Sequence, residues 1–317
     1  MRLGLKFTGL AILIVALISS GCDNQAKNKK VKIGYLPMVS SLTHFVALEE
    51  GYYKDENLEV EANPIKTSNL IAQDLVAGHI DVAIELSIVP LLKELERSPH
   101  STKIYSISEI TSENGFDGII VKSNSKITKL EDLAGKKVGV FPGSTAKNSL
   151  SDIFKSKFPN HTQPFIVELD PSLHIQSLEN GDIDALFTYE PNLTLGIVKK
   201  GYRKISSSIY AIQYSPSPIG VGAVNQKWLE DNPEISKAFF RAIDKSVNFI
   251  KNHPKEARQI LVKATKIDSI VADEMNIMPL SLTNHIDFNN LGGYLDVLKR
   301  IGEINITPKP GDICIKQ

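Results

Sequence analysis

Lys136-Lys137-Val138-Gly139-Val140-Phe141-Pro142-Gly143-Ser144-Thr145-Ala146 decides the fold of this 317-residue chain. Apolar alternation up to Phe141 reads as a short buried strand, Pro142 to Thr145 breaks it, and Leu150, Ile153, Phe154 and Phe158 recur at the spacing of an amphipathic helix. A strand leaving through such a turn into a helix aims unpaired backbone N–H groups, and the positive end of the helix dipole, at whatever lies above the sheet. The turn therefore suits an anion or a polar oxygen. The unit occurs twice. Ile33-Gly34-Tyr35-Leu36-Pro37 stands 105 residues before Val138-Gly139-Val140-Phe141-Pro142, and Ser40, Ser41 and Thr43 follow it as Ser144 and Thr145 follow the second copy. Two polar helix starts can thus face one ligand.

Outward from these turns the two copies run in parallel. The first predicts a strand over 31–36, a helix over 41–50 stopped by Gly51, a strand over 58–62, a helix over 68–77 ended by Gly78, and a strand from His79 into Glu85-Leu86-Ser87. The second predicts a strand over 138–141, helix 146–158, strand 165–169 and helix 172–180. It closes with Gly181-Asp182-Ile183-Asp184-Ala185-Leu186-Phe187, which matches Gly78 to Ile84 at an offset of 103. Strands alternating with helices imply an α/β chain with mostly parallel sheets, whose ligands bind outside the carboxyl ends of the strands. In this register Glu85 corresponds to Thr188 and Ser87 to Glu190. Two glycine- or proline-marked connectors, 114–121 and 214–224, suggest a two-stranded hinge. Lobe 1 is expected over 31–117 and 219–317, and lobe 2 over 118–218. Helices starting at Asn232-Pro233 and His253-Pro254 complete the first lobe, followed by a short helix around 294–301 and a Pro-containing tail.

Charge is balanced, with 36 basic and 36 acidic residues and no long block of either sign, which argues against a nucleic-acid surface. Arg2 and Lys6 precede an apolar run over 10–18, too short to span a bilayer, that ends in Ser19-Ser20-Gly21-Cys22. Residues 1–22 have the layout of a signal peptide, and 23–30 that of a polar tether. No Cys-x-x-Cys, His-Glu-x-x-His or EF-hand spacing occurs, so neither a metal site nor a cofactor is expected.

Ser19 to Cys22 resembles the bacterial lipobox, which implies acylation of Cys22 (palmitate among the chains) and an exported protein anchored to the cell membrane, facing the periplasm or the outside. The rest of the chain resembles the type II solute-binding lipoproteins of ABC importers, in the nitrate/sulfonate/taurine and thiamine-pyrimidine-precursor branch. The likeness rests on Phe45 to Lys54 with Leu58-Glu59-Val60, Leu130 to Val140, Pro142 to Thr145, Gly181 to Ala185, Tyr189-Glu190-Pro191 and Asn232-Pro233. It implies a type II periplasmic-binding-protein fold: two Rossmann-like lobes joined by a two-stranded hinge that closes over a small-molecule solute. It also implies a monomer that docks on ABC permease and ATPase subunits.

By analogy the cleft is expected to draw on Pro37, Ser40 and Thr43 from the first turn, Glu85 and Ser87 from the next strand exit, and Phe116 and Asp117 at the hinge. The second lobe would add Gly143, Ser144, Thr145, Tyr189 and Glu190, and the second connector Ser215. Each has a plainer reading: Ser40, Ser144 and Thr145 suit helix caps, Glu190-Pro191 a helix start, Glu85 a solvated loop acid, Tyr189 and Phe116 hinge core. Asp81 and Asp184 suit local backbone caps and stay outside the site. These loops carry no Arg, and Glu85 and Glu190 would repel a bare anion. The mixture points to an amino-sulfonate-like zwitterion or a stacked heterocycle rather than nitrate. Two rivals are a same-fold enzyme such as a dehydratase and a sensory lipoprotein. Ser144-x-x-Lys147 lacks the companion motifs of Ser-x-x-Lys enzymes, so a non-enzyme is expected.

Overall fold

The computed structural model describes residues 29–283 and 285–315, so the signal segment and Cys22 lie outside the described residues. The strands are β1 (Lys30–Tyr35), β2 (Glu59–Pro64), β3 (Val82–Ser87), β4 (Thr102–Ile110), β5 (Asp117–Val121), β6 (Lys137–Val140), β7 (Phe165–Glu168), β8 (Ala185–Tyr189), β9 (Arg203–Ser207) and β10 (Ser217–Asn225). They form two sheets, ordered β2-β1-β3-β10-β4 and β7-β6-β8-β5-β9. In each, three strands run parallel and the fourth position is antiparallel, filled by β10 in one and β5 in the other. The antiparallel strands are those that follow the two crossings of the chain, 111–116 and 208–216.

The duplication holds to the residue. Ile33 and Gly34 face Val82 and Ala83; Val138 and Gly139 face Ala185 and Leu186. A Cβ on Gly34 would overlap Ile80, and one on Gly139 would overlap Ile183, so equivalent glycines admit equivalent isoleucines. Asp81 takes a hydrogen bond from the Lys32 amide and Asp184 from the Lys137 amide, each at 2.8 Å, which is the local backbone role expected for both. Gly78 and Gly181, at φ +74° and +84°, end the helices Ser68–Ala77 and His174–Asn180 in the left-handed conformation that glycine adopts without a Cβ penalty.

Four departures from the sequence reading are structural. Lys30, assigned to the tether, is the first residue of β1 and pairs with Glu59. Asp117 pairs with Tyr189 in the second sheet, while Ser217 and Pro218 pair with Ile110 and Glu109 in the first, so the crossings sit one or two residues from the expected boundaries. The second-copy helix begins at Ser144, and the late helix is longer than expected, spanning Phe288–Arg300. Two strands were not anticipated, β4 and β9, both at sheet edges.

Apolar side chains fill both faces of the first sheet. On one, Leu75, Leu92, Ile104 and Leu298 cluster; on the other, Val31, Ile84, Tyr105 and Phe239. The core of the second lobe runs into the crossings and takes in Leu42, Phe45 and Val46 from the first. Helices Pro233–Asn252 and Pro254–Thr265 pack on helix Leu42–Glu49. The next helix, Ser269–Glu274, reaches across to helix Asn192–Lys200, where Asp268 pairs with Lys199 at 2.9 Å. The C-terminal quarter of the chain therefore belongs to lobe 1 but touches lobe 2.

Candidate binding site between the two lobes

Both duplicated turns leave their hydroxyls uncapped. Pro37 is exposed after β1, a single 3-10 turn (Val39–Ser41) follows, and Thr43 is buried in the first turn of the next helix. Neither Ser40 Oγ nor Ser41 Oγ, both buried, finds a hydrogen-bond partner among the described residues. In the second copy Gly143 adopts φ +110° and donates its N–H to Glu168 Oε2 at 2.9 Å. Ser144 opens the helix, and its Oγ donates to Glu303 Oε2 at 2.6 Å instead of capping; Thr145 beside it is half-buried.

The acids are drier than a loop reading allows. Glu85 is buried in β3, tucked over Gly220 of β10 beside Ser108 of β4, and its Oε1 has no partner among the described residues. Burial pushes its carboxyl up to about 8, with the Ser108 hydroxyl pulling weakly the other way, so Glu85 is neutral at pH 7. It repels nothing and offers a proton as well as an oxygen. Ser87, two residues on, sits at the N-cap of the next helix but its side chain accepts no capping bond; its own N–H donates to Ser68 Oγ at 3.0 Å.

Phe116, Asp117, Tyr189 and Glu190 come together where the chain crosses. The Glu190 amide donates to the Phe116 carbonyl at 3.0 Å, and Asp117 accepts from the Ile209 amide at 2.5 Å, tying the first crossing to the second. Burial raises Asp117 to about 7, against the pull of the Ile209 and Tyr210 amides, and leaves Oδ2 unpartnered among the described residues. Glu190 has the helix-start geometry that was its plainer reading. Its Oε2 accepts from the Thr194 amide (3.0 Å), and Oε1 from Thr194 Oγ1 (2.9 Å) and the Asn276 amide (3.3 Å), because the following helix starts there and needs its first N–H groups satisfied. Both oxygens are thus engaged by the protein. Ser215 is exposed on the second crossing and precedes a cis proline, as Glu190 does.

Tyr189 stacks on Tyr210 with centroids 6.0 Å apart and planes 4° from parallel, and the two hydroxyls share a hydrogen bond. Phe141, at the exit of β6, lies 4.6 Å from Tyr189, giving lobe 2 an aromatic wall at its strand exits. The sequence reading missed the side chains that meet this wall's neighbours from lobe 1. Lys93 Nζ lies 3.1 Å from both Ser144 Oγ and Glu303 Oε2, Asn148 Nδ2 donates to Glu303 Oε1 at 2.8 Å, and Arg300 grips Asp152 through two bonds of 2.5 and 3.1 Å. The one legible trace was the spacing of Ser144, Asn148 and Asp152, four apart on one helix face. Among the described residues no cluster of metal-ligating side chains occurs, and no helix is long and apolar enough to cross a membrane.

Two sheets of this order, joined by paired crossings with the turn of the second copy meeting the first lobe, define a two-lobed binding fold of the periplasmic-binding-protein type. Within it the chain belongs to the NMT1/THI5 like family, whose description it matches over residues 40–257. It is similar to a putative aliphatic sulfonates-binding protein of Bacillus subtilis, 25% identical over 288 residues that cover 86% of this chain and 83% of the relative. A second relative is the 4-amino-5-hydroxymethyl-2-methylpyrimidine phosphate synthase of Candida albicans, 24% identical over 228 residues, or 67% of this chain and 64% of that one. The crystal structure of the periplasmic aliphatic sulphonate binding protein SsuA from Escherichia coli shares the fold, with a TM-score of 0.75 at 13% identity over 91% of this chain and 92% of that one.

Proposed function

We propose that this chain is the exported solute-binding component of an ABC importer, holding a small organic molecule between its lobes and passing it, after closure, to permease and ATPase subunits. The carrying observation is Ser144: a hydroxyl at the duplicated turn of lobe 2 that meets Lys93 and Glu303 of lobe 1, which brings that strand exit against the opposite lobe. Likeness over 86% of the chain to a relative named as a putative aliphatic sulfonates-binding protein supports capture over chemistry.

The ligand we favour is a sulfonate- or taurine-like zwitterion or a pyrimidine-like heterocycle. Lys93 and Arg300 are already neutralised by Glu303 and Asp152, the Glu85 carboxyl is uncharged, and Tyr189 with Phe141 offers an aromatic wall; such a surface does not suit a bare inorganic anion. The anchor is Cys22, acylated after signal cleavage, and the protein acts as a monomer. The Candida relative keeps a biosynthetic reading alive.

Mass spectrometry of small molecules released from protein purified under native conditions, followed by calorimetry with the identified compound and with Ser144→Ala, tests the proposal. A released amino-sulfonate or pyrimidine that binds unchanged supports it. A melting shift produced by nitrate or sulfate alone, or conversion of the bound compound by the purified protein, refutes it.

A further inference from the structure

Strands β1 and β3 run side by side toward the cleft and β10 returns against β3, so the starts of β1 and β3 and the end of β10 lie together at the far pole of lobe 1. Asp81 joins the three. Its carboxylate accepts from the Lys32 amide at 2.8 Å, its amide donates to the Lys32 carbonyl at 2.8 Å, and its carbonyl accepts from the Asn225 amide at 2.9 Å. Beside this junction is a hollow of about 640 Å³, a size typical of small-molecule sites, walled by Asp81, His100, Lys227, Trp228, Glu230 and Asp231 among others. Binding between the lobes makes no use of it. Trp228, the single tryptophan of the chain, is half-buried in helix Gln226–Asp231, whose start is fixed by a bond of 3.0 Å from its amide to Asn225 Oδ1. Lys227 and Asp231 pair at 2.6 Å with side chains 83% and 56% exposed, a solvated contact weak enough to exchange partners. Three carboxylates against one lysine disfavour a simple anion. A group that carries both an ammonium and a phosphate finds an acid for the first, Lys227 for the second and an indole face beside them.

What this pole meets follows from the length of chain that precedes β1. Six residues, 23–28, separate Cys22 from Lys29, where the described residues begin. Even fully extended, the seven peptide units from Cys22 to Lys29 reach only about 25 Å. The hollow begins one strand from that root, about 5 Å away, because Asp81 is bonded directly to Lys32. The cleft lies at the other end of the same strands, about 20 Å beyond. An acyl group on Cys22 therefore keeps the pole, and not the cleft, within reach of lipid headgroups. We propose that the hollow binds the phosphoethanolamine headgroup of a membrane phospholipid, seating the anchored protein on the pole of lobe 1 with its cleft turned away from the bilayer. The inference rests on the reading of Cys22 as the anchor. Each part of the headgroup has a stated partner: the primary ammonium goes to Glu230 and Asp231, the phosphate to Lys227. Trp228 sits at the depth where an amphipathic ring is favoured, between headgroups and water.

The test uses the chain from Cys22 onward, which retains every described residue, with the Cys22 thiol coupled to a maleimide lipid in vesicles of phosphatidylethanolamine and phosphatidylcholine. Cys314, the only other cysteine, is buried. Intrinsic fluorescence then reports on Trp228 alone, and a lipid with a nitroxide on its headgroup reads its closeness to the membrane surface. Three comparisons accompany the parent: the exposed pair Glu230→Lys and Asp231→Lys, a Gly-Ser insert that lengthens the tether, and vesicles in which phosphatidylglycerol replaces phosphatidylethanolamine. The expected result is loss of most of the Trp228 emission in the parent, retained with the longer tether but largely abolished by the charge reversal and by phosphatidylglycerol. Absence of quenching in the parent overturns the site. So does quenching that the charge reversal or phosphatidylglycerol leaves unchanged, or that disappears when the tether is lengthened, since mere proximity would then explain it. Chemical coupling supplies the anchor, so whether cells acylate Cys22 is read separately, from the mass of the protein extracted from membranes.

Discussion

Replacing Glu85 by Gln should change the pH dependence of stability more than any other single substitution in lobe 1. Glu85 lies buried in β3 with Oε1 unpartnered among the described residues and only the Ser108 hydroxyl beside it. Burial raises the Glu190 carboxyl as well, but three donors pull it back; Glu85 has almost none. Its carboxyl is lifted from an ordinary 4.5 to about 8. Below pH 4.5 both the folded and the unfolded chain hold the proton, and the full stability is present. Above it the unfolded chain ionises while the folded one does not, so stability falls by about 1.4 kcal/mol per pH unit until the folded group titrates near 8. At pH 7 the accumulated loss is about 3 kcal/mol, a large part of a typical domain's margin. Glutamine keeps the shape and cannot ionise. Urea unfolding of parent and Glu85→Gln at pH 5, 6, 7 and 8 should show nearly equal stabilities at pH 5 and a variant more stable by about 2–3 kcal/mol at pH 7. Slopes from Asp117 and Glu190 occur in both proteins and cancel in the difference. A difference that stays constant across the range would refute the reasoning, because it would mean that Glu85 carries the same charge folded and unfolded.

Gly220→Ala drives a Cβ into the Glu85 carboxyl and should cost about 1–3 kcal/mol in urea unfolding, a loss that Glu85→Ala in the same chain largely restores. Asp81→Ala and Asp184→Ala each remove an equivalent acceptor for a β-strand amide, so each should cost about 1 kcal/mol; strongly unequal losses by the same assay would argue against functional equivalence of the two copies. Gly302→Ala forces a Cβ into φ +79°, which should cost about 1–2 kcal/mol in urea unfolding.

Much of the fold was legible because its duplicated half-units carry their own punctuation. Gly78 and Gly181 are needed by the local backbone, Gly34 and Gly139 by an isoleucine on the next strand's approach, and Asp81 and Asp184 by a neighbouring strand's amide; because each need recurs in both copies, it leaves a repeated pattern. What escaped lay at the edges. β4 reads Thr-Lys-Ile-Tyr-Ser-Ile-Ser-Glu-Ile and β9 reads Arg-Lys-Ile-Ser-Ser; both are edge strands, whose polar residues blunt pairing and also dilute the apolar alternation by which a strand is recognised. Helix Ile88–Arg97 follows β3 without a turn signal and carries Pro90 in its first turn, where proline is tolerated yet reads as a break.

The site was less legible than the fold for a reason that follows from how two lobes meet. A hydroxyl such as Ser144 serves equally as helix cap, ligand contact or lobe contact, and only the position of its partner decides among them. Here the partner is Glu303, 159 residues away, placed by a helix stop whose glycine is visible in sequence but whose following acid has no local meaning. Similarly, Glu85 in β3 and Glu190 just past β8 are the same residue type on corresponding strands of the two sheets, yet one is left without donors and the other receives three, because Gly220 makes room beside the first while a helix starts at the second. Charge state in this protein is therefore a property of what the opposite element supplies. Sequence carries the acids; the neutral Glu85, the engaged Glu190 and the buried Glu303 acquire distinct roles only when β10, the Thr194 turn and helix Ser144–Lys157 are brought against them.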